Sequence, residues 1–400
     1  MLAGGLLRQN VETFISAERS SLTSDYRPDV GIRILSPGAT SRQWRDRNLV
    51  LVEPFDFTAT PLWLEFKHGR DADPFSDRIR HPEKPFERAG EDARKVRGQL
   101  AKYADAQFSQ QHLRYSWGVL ICESIARITR WDRSGMLVTE AFDYVKTSFL
   151  AEFLWKFFHM TPEERGWDES VVTVDDTGQK NLFYDTIGGV IASDRGKIRG
   201  GSPYAYLSMD SDYPVRKIEV KDAQTSKVHS FLIGRPFYVT RGPLGRATRS
   251  YVAYGLGGEG VKYLKDSWAV DNSGLLPEGD AYTILNKAGV PSLLPITCAG
   301  NVEVAGIPQK TETQVWAAKP YPWRAPCSSS FRTFRHYRLV QDLAYPIECL
   351  RSSREVVMVF CDVLKCMSLS WTRMIYVDLS TAQASKLRMK MPGCSIEISV

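Results

Sequence analysis

The stretch RGPLGRATRSYVAY, residues 241–254, decides how this chain is read, together with KYLKDSW at 262–268 and PEGDAYTIL at 277–285. Gly242 and Gly245 lie between two strand-like runs, and small Ala247 and Ser250 stand where further glycines would complete a glycine-rich loop. Such loops suit phosphates because backbone N–H groups reach an anion only where side chains are small or absent. By itself the stretch also reads as a hairpin with glycines in its turn.

The residues that follow give it weight. Lys265, on a strand-like run, comes twenty residues after Gly245, and Glu278, opening a helical pattern, comes thirteen after that. Loop, lysine and acid in this order are what a kinase needs: the lysine pairs with the α and β phosphates of a nucleotide, and the carboxylate holds the ammonium in place. Taken singly, Lys265 also reads as a strand lysine with its charge in solvent, and Glu278 as an acid favoured by a helix N-terminus. Asp280 is an alternative partner for Lys265.

Outward from this centre, SFLIGRPFYV, SYVAYGL and GVKYLKDSW are closely spaced strands, followed by a helix over Glu278–Lys287, then HYRLVQDL and a second helix over Ser353–Cys366. Five strands with one helix after the third is the outline of a kinase small lobe. Upstream, Asn10–Arg19 predicts a short helix, and extended pieces follow at Val30–Leu35, Leu49–Val52 and Pro61–Lys67. Val96, Leu100, Tyr103, Ala104 and Phe108 recur at helical spacing within Pro85–His112. WGVLICES, ARITRW and MLVTEAFD read as strands, with WDRSG as a tight turn. FLAEFLWKFFHM (149–160) is apolar on nearly every side and predicts a helix buried between layers. Trp167–Asp222, with its glycine-rich and serine-rich GGVIASDRGKIRGGSPYAY, reads as an irregular linker.

A chain of 400 residues is long enough for two or three compact units. Hydrophobic residues at 43% and charged residues at 24% argue for folded protein rather than disorder. The net charge of +6 is spread along the chain, and the basic run Arg78–Arg97 is interleaved with Glu83, Glu87, Glu91 and Asp92. That is a solvated face, so nucleic acid is not the expected partner. Seven cysteines without a CxxC pair fit a reducing compartment. The opening MLAGGLLRQN lacks a leading positive charge, and no run reaches the ~18 apolar residues of a membrane helix. The expectation is an intracellular protein, cytoplasmic or nuclear, with no membrane partner.

The segments RGQLAKYADAQFSQQH (97–112), ARITRWDRSGMLVTEAFDY (126–144), FLAEFLWKF (149–157), GRATRSYVAYGL (245–256), YLKDSW (263–268), PEGDAYTIL (277–285), AGVPSLLPITCAG (288–300), QKTETQ (309–314) and HYRLV (336–340) resemble, in order, the recurring segments of the fungal-type protein kinases. The resemblance runs from about Tyr26 to Val363. It implies ATP and Mg2+ as cofactors and serine/threonine protein phosphotransfer in complete relatives, and leaves the protein substrate or partner unspecified. It makes Lys265 the small-lobe lysine and Glu278 its partner, with Gly242, Gly245, Thr248 and Val252 around the phosphate loop and Leu339–Asp342 running into the hinge that meets adenine. His336 reads as a packed or partly exposed histidine.

The catalytic segment departs from the pattern. In MIYVDLSTAQAS, Asp378 stands at the place of the catalytic aspartate, Tyr376 and Val377 replace the preceding histidine and arginine, and Gln383 replaces the metal-binding asparagine. KLRMKMPGCSIEISV (386–400) contains no aspartate for a second magnesium contact. Phosphotransfer is therefore expected to be impaired, and a pseudokinase-like binding or regulatory protein is the alternative. The abrupt end of agreement after DLST suggests a frame slip or alternative splice junction near Thr381.

Pro28-Asp29, then Glu65-Phe66-Lys67, then a helix carrying Gln99 and Tyr103 resemble the layout of PD-(D/E)xK nuclease-like folds. There two carboxylates hold magnesium and a lysine positions the attacking water. Glu65 and Lys67 share one face of a strand, which permits a common site, so Asp29 and Glu65 are candidate metal ligands of a nuclease-like alternative. The expected fold class is α+β: an N-terminal α/β nuclease-like module (1–165), an irregular linker or β region (166–227), a kinase-like small lobe of five antiparallel strands and one helix (228–345), and the start of a truncated large lobe (346–400).

Overall fold

The computed structural model describes residues 11–16, 27–34, 52–53, 55–77, 85–194, 203–272, 274–319, 331–344, 350 and 352–381, and side chains for all of these except 15–16, 52–53 and 371–381. Gln383 and the tail beyond it lie outside the described residues, as do Asn10, Ala17–Arg19 and Leu49–Leu51.

The elements in order are β1 (Val11–Ser16), β2 (Val30–Ile34), β3 (Val52–Glu53), β4 (Leu62–Lys67), α1 (Glu91–Gln110), β5 (Ser116–Cys122), β6 (Ile125–Trp131), β7 (Met136–Val138), β8 (Phe142–Asp143), α2 (Phe149–His159), β9 (Val171–Thr173), α3 (Thr177–Asp194), α4 (Pro203–Ser208), β10 (Arg216–Lys221), β11 (Val228–Ile233), β12 (Tyr238–Val239), β13 (Arg249–Gly255), β14 (Gly260–Val270), α5 (Glu278–Lys287), β15 (Ile296–Asn301), β16 (Glu303–Val304), β17 (Ile307–Pro308), α6 (Thr313–Ala317), β18 (Phe334–Asp342) and α7 (Ser353–Thr381). The fold is mixed α+β, built on two large sheets.

The first sheet runs β3-β1-β2-β4-β5-β6-β7, with β8 on β6. β4 and β5 are parallel, and α1 is the crossover that a parallel pair requires. One face of α1 (Val96, Leu100, Tyr103, Ala104, Phe108) packs on Phe14, Phe55, Phe57 and Trp63. On the opposite face α2 buries Leu154, Phe157 and Phe158 against Ile32, Leu62, Leu64, Val119 and Ile121. α2 is not sandwiched between layers as expected, since Phe149 and Trp155 on its outer side are exposed. The N-terminal segment is also a correction: Val11–Ser16 is a strand, held between β2 and β3, with Glu12 and Phe14 facing inward on alternate positions.

The second sheet runs β15-β18-β14-β13-β11-β10-β9, antiparallel throughout, with β12 on β13. It is wider than the five strands expected, because β10 and β9 from the linker or β region extend it. That region also carries helix among its described residues. It contains α3, whose Phe183, Ile187 and Ile191 are spaced four residues apart and pack with Ala205 of α4 on Leu232 and Val252.

A buried ionic cluster lies on the second sheet, against the loop that leads into β9. Arg338 of β18 donates to Asp168 Oδ2 at 2.5 Å, to Asp266 Oδ1 at 3.0 Å, and to Ser170 Oγ and the Glu219 carbonyl at 2.7 Å each. His336 lies flat on Trp268, its Nε2 2.6 Å from Asp266 Oδ1 and its Nδ1 2.8 Å from Gln309 Oε1. It is a packed histidine. Burial opposes ionisation of Asp168 and Asp266, but Arg338 and His336 overcome it and hold both carboxyls below the usual carboxylate range.

Candidate functional site

Lys265 sits near the middle of β14, between β13 and β18, and Glu278 opens α5. The Lys265 ammonium donates to both carboxylate oxygens of Glu278, at 2.6 and 2.9 Å. The pair is partly open to solvent, with 18% and 35% of the two side chains exposed. Asp280 is not the partner: its Oδ1 accepts from Gln224 Nε2 at 3.0 Å.

Register fixes what shares a face with the lysine. Ser250 is paired directly with Lys265, and Val252 with Tyr263, so these four side chains lie on one face; Arg249 and Asp266, the adjoining pair, point to the other. On the lysine face the Ser250 hydroxyl meets the Tyr263 hydroxyl at 2.9 Å. Val252 is fully buried beneath Phe183, Ile187, Ile191 and Ala205 of α3 and α4. Tyr204 of α4 stacks on Phe237, with ring centres 4.2 Å apart, and Phe237 lies 6.1 Å from Tyr263. The side of the lysine face that carries Val252 is thus covered by the chain itself.

The glycine turn between β12 and β13 takes the backbone form that glycine permits, with φ of +108° at Gly242 and +87° at Gly245. Its closing strands are tied by the Thr240 amide donating to the Thr248 carbonyl at 2.9 Å. The turn is also held by the first sheet and its helix. Gly242 N–H donates to Asp105 Oδ1 of α1 at 2.9 Å, Gly245 N–H to the Arg133 carbonyl at 2.8 Å, and Arg133 Nη1 to the Pro243 carbonyl at 3.0 Å. Burial raises the Asp105 carboxyl above its ordinary value, while the Gly242 amide, Arg133 and Arg241 work against that rise.

On the other face of β13, Arg249 donates to the carbonyls of Phe108 and Gln111, the latter at 2.7 Å, and Arg216 reaches the Gln110 carbonyl at 3.2 Å. Two guanidinium groups thereby satisfy carbonyls at the end of α1 that the helix itself leaves unpaired, and their charge suits that end of the dipole. α1 therefore lies on the face opposite Lys265. Asp105 and Arg133 are the site residues that sequence reasoning missed, because a polar residue on a helix face carries no local mark of a distant partner.

Asp378 falls inside α7, which runs on to Thr381 rather than ending near Cys366. Its backbone is helical.

In the first sheet, Asp29, Glu65, Lys67, Gln99 and Tyr103 do converge, lining with Arg27, Lys95 and Lys102 one cleft of about 650 Å³. Glu65 is buried, and its oxygens accept from Lys67 Nζ at 2.5 Å, Gln99 Nε2 at 2.7 Å and Tyr103 OH at 3.0 Å. Asp29 Oδ2 accepts from the Phe66 amide at 2.8 Å. Burial raises the Glu65 carboxyl, and the nearby Asp29 adds to this against the opposing Lys67 and Tyr103. Among the described residues no three histidine, cysteine, aspartate or glutamate side chains are grouped to hold a metal ion; in the cleft, Asp29 and Glu65 are the two carboxylates that would hold magnesium, and both Glu65 oxygens accept from protein donors. No described helix is long and apolar enough to cross a membrane.

No curated protein and no solved structure gives a significant match to the chain. The profile of a family described as Fungal protein kinase matches residues 70–382, well over half the sequence, and spans the glycine turn, Lys265, Glu278 and Asp378. The chain belongs to the fungal protein kinase family.

Proposed function

We propose that this is a kinase-like protein that binds ATP, seating the nucleotide's phosphates at Lys265 with Glu278 as the positioning carboxylate. The observation that carries the reading is the two-pronged contact between that ammonium and that carboxylate, at 2.6 and 2.9 Å. It is the arrangement by which a strand lysine is held ready for α and β phosphates. The strand order β11-β13-β14-β18-β15, with α5 between the third and fourth of these in sequence, supports it, as does the glycine turn between β11 and β13. Serine/threonine phosphotransfer is the chemistry of complete relatives and is impaired here. A catalytic aspartate works from a loop beside the accepting hydroxyl, whereas Asp378 is on a helix.

ATP should stabilise the protein in a thermal-shift assay, and Lys265→Met should abolish the shift. Equal shifts in both proteins would remove the assignment. Transfer of labelled γ-phosphate to a generic acceptor should stay near background; transfer abolished by Asp378→Ala would instead restore an active kinase over a pseudokinase-like binding protein.

A second reading, a metal-dependent nuclease, is favoured by the convergence of Asp29, Glu65 and Lys67 in one cleft. Magnesium-dependent plasmid nicking lost in Glu65→Ala would establish it. The engagement of both Glu65 oxygens by protein donors ranks it second.

A further inference from the structure

Phosphates bound at Lys265 would need the amides of the glycine turn to close over them. Those amides are engaged elsewhere. The acceptor at Gly242 is the Asp105 carboxylate, an anionic oxygen in the role a phosphate oxygen would fill, and the acceptor at Gly245 is the Arg133 carbonyl. Both belong to the part of the chain that packs on the face of β13 and β14 opposite Lys265, where Arg249 is bonded to the end of α1. The turn is therefore drawn toward α1 and away from the lysine. On the lysine face, α3 and α4 lie over Val252.

We propose that α1 is an internal latch: Asp105 holds the glycine turn in a retracted, self-inhibited position, and nucleotide is bound tightly only when that contact is given up. This rests on the nucleotide-binding reading above and adds a regulation that the family assignment does not contain. The latch places control of the seat in α1, the helix packed on the first sheet, 137 residues earlier in the chain. A ligand or partner that shifts α1 would open it, because a protein that must leave one conformation to bind loses affinity in proportion to how rarely it does so.

The test uses the full chain and a fluorescent ATP analogue, titrated by anisotropy, with hydrogen exchange followed over residues 240–247. Wild type, Asp105→Ala and Asp105→Asn are compared, each with and without Lys265→Met. Asp105→Ala should bind about tenfold more tightly, exchange faster at Gly242, and lose the gain when Lys265 is also replaced. Asp105→Asn keeps a carbonyl acceptor without the charge and should fall between. Lys265-dependent binding of equal strength in wild type and both variants would overturn the latch while leaving the nucleotide reading intact. Binding that is absent, or indifferent to Lys265, in every variant would overturn the nucleotide reading, and the latch with it.

Discussion

The amide of Gly279 donates to the Tyr337 hydroxyl at 2.9 Å, and this contact sets how closely α5 lies on the sheet. A Cβ at position 279 would stand 2.6 Å from both that hydroxyl and the Ala299 methyl, so glycine is what lets the first turn of α5 approach β15 and β18. Glu278, one residue earlier, reaches Lys265 because of it. Burial, against the favourable Gly279 amide, pushes the tyrosine hydroxyl up to about 12, so it is neutral at ordinary pH and can accept the bond. Gly279→Ala should lift the helix, cost roughly 1–3 kcal/mol as overpacking does, and reduce the ATP-induced thermal shift. Tyr337→Phe removes the acceptor without adding bulk and should cost about 1 kcal/mol. Urea titration of both variants checks the order; a harmless Gly279→Ala would show that the close approach is not what seats Glu278.

Arg338 is fully buried, and each of its nitrogens has a partner among Asp168, Asp266, Ser170 and the Glu219 carbonyl. Removing the cation would leave two buried carboxylates without the guanidinium that they share. Arg338→Met should therefore destabilise the protein by about 3–5 kcal/mol, the usual cost of breaking a buried pair by deleting one partner. Deleting an exposed pair such as Lys95 with Glu91, 3.0 Å apart, should change stability by less than about 1 kcal/mol. Chemical denaturation of Arg338→Met and Lys95→Ala side by side measures the contrast.

Much of this is legible in sequence where the signal is local. α1 and the strands about Lys265 are, because burial imposes a period that survives in the residues: Val96, Leu100, Tyr103 and Phe108 on the helix, and Leu264 against Lys265 on the strand. Val11–Ser16 reads wrongly as helix because six residues are too few to separate the two periods, and its pairing with β2 and β3 is decided elsewhere in the chain. α3 escapes a sequence reading because Gly188 and Gly189 are poor helix formers; the four-residue spacing of Phe183, Ile187 and Ile191 is the signal that could have found it. At the site, Lys265 and Glu278 are thirteen residues apart and follow a recognisable order. The contacts that hold the turn and the ionic cluster link residues 137 and 170 positions apart, and nothing local encodes them.

His112 lies between the two sheets, fully buried, with Arg249, Arg216 and Arg338 around it, Asp266 3.9 Å from its Nδ1 and the Tyr251 hydroxyl 3.4 Å from its Nε2. Burial, reinforced by Arg249 and Arg216, keeps its pKa well below the usual histidine value. It is neutral in the native state, while the unfolded chain takes up a proton below about pH 6.5. The unfolded state then binds more protons, so stability is fully present above that pH and falls as pH drops below it, by up to about 1.4 kcal/mol per unit for one proton. The depressed carboxyls of Asp168 and Asp266 add to the loss only lower, as pH falls below about 4. His112→Phe keeps a ring beside Tyr251 and removes the titration. Urea denaturation between pH 7 and pH 5 should give a shallower loss of stability for the variant; parallel slopes would mean that His112 is not held neutral.

Ala247, standing where a further glycine would complete the loop, has φ +43° and is buried against Trp268 and Phe334. The left-handed backbone costs an alanine roughly 1–2 kcal/mol relative to glycine, but its methyl group contributes about 0.8 kcal/mol by burial, and glycine would add freedom to the unfolded chain worth about 0.4–1 kcal/mol. These terms nearly cancel, so Ala247→Gly should leave stability close to unchanged. Valine meets the same backbone with a branch at Cβ, which that region disfavours strongly, and adds two methyl groups to a filled cluster, which costs about 1–3 kcal/mol more. Ala247→Val should thus lower the melting temperature clearly while Ala247→Gly does not. Equal effects of the two substitutions would show that the cluster, and not the backbone of the turn, decides which residue this position accepts.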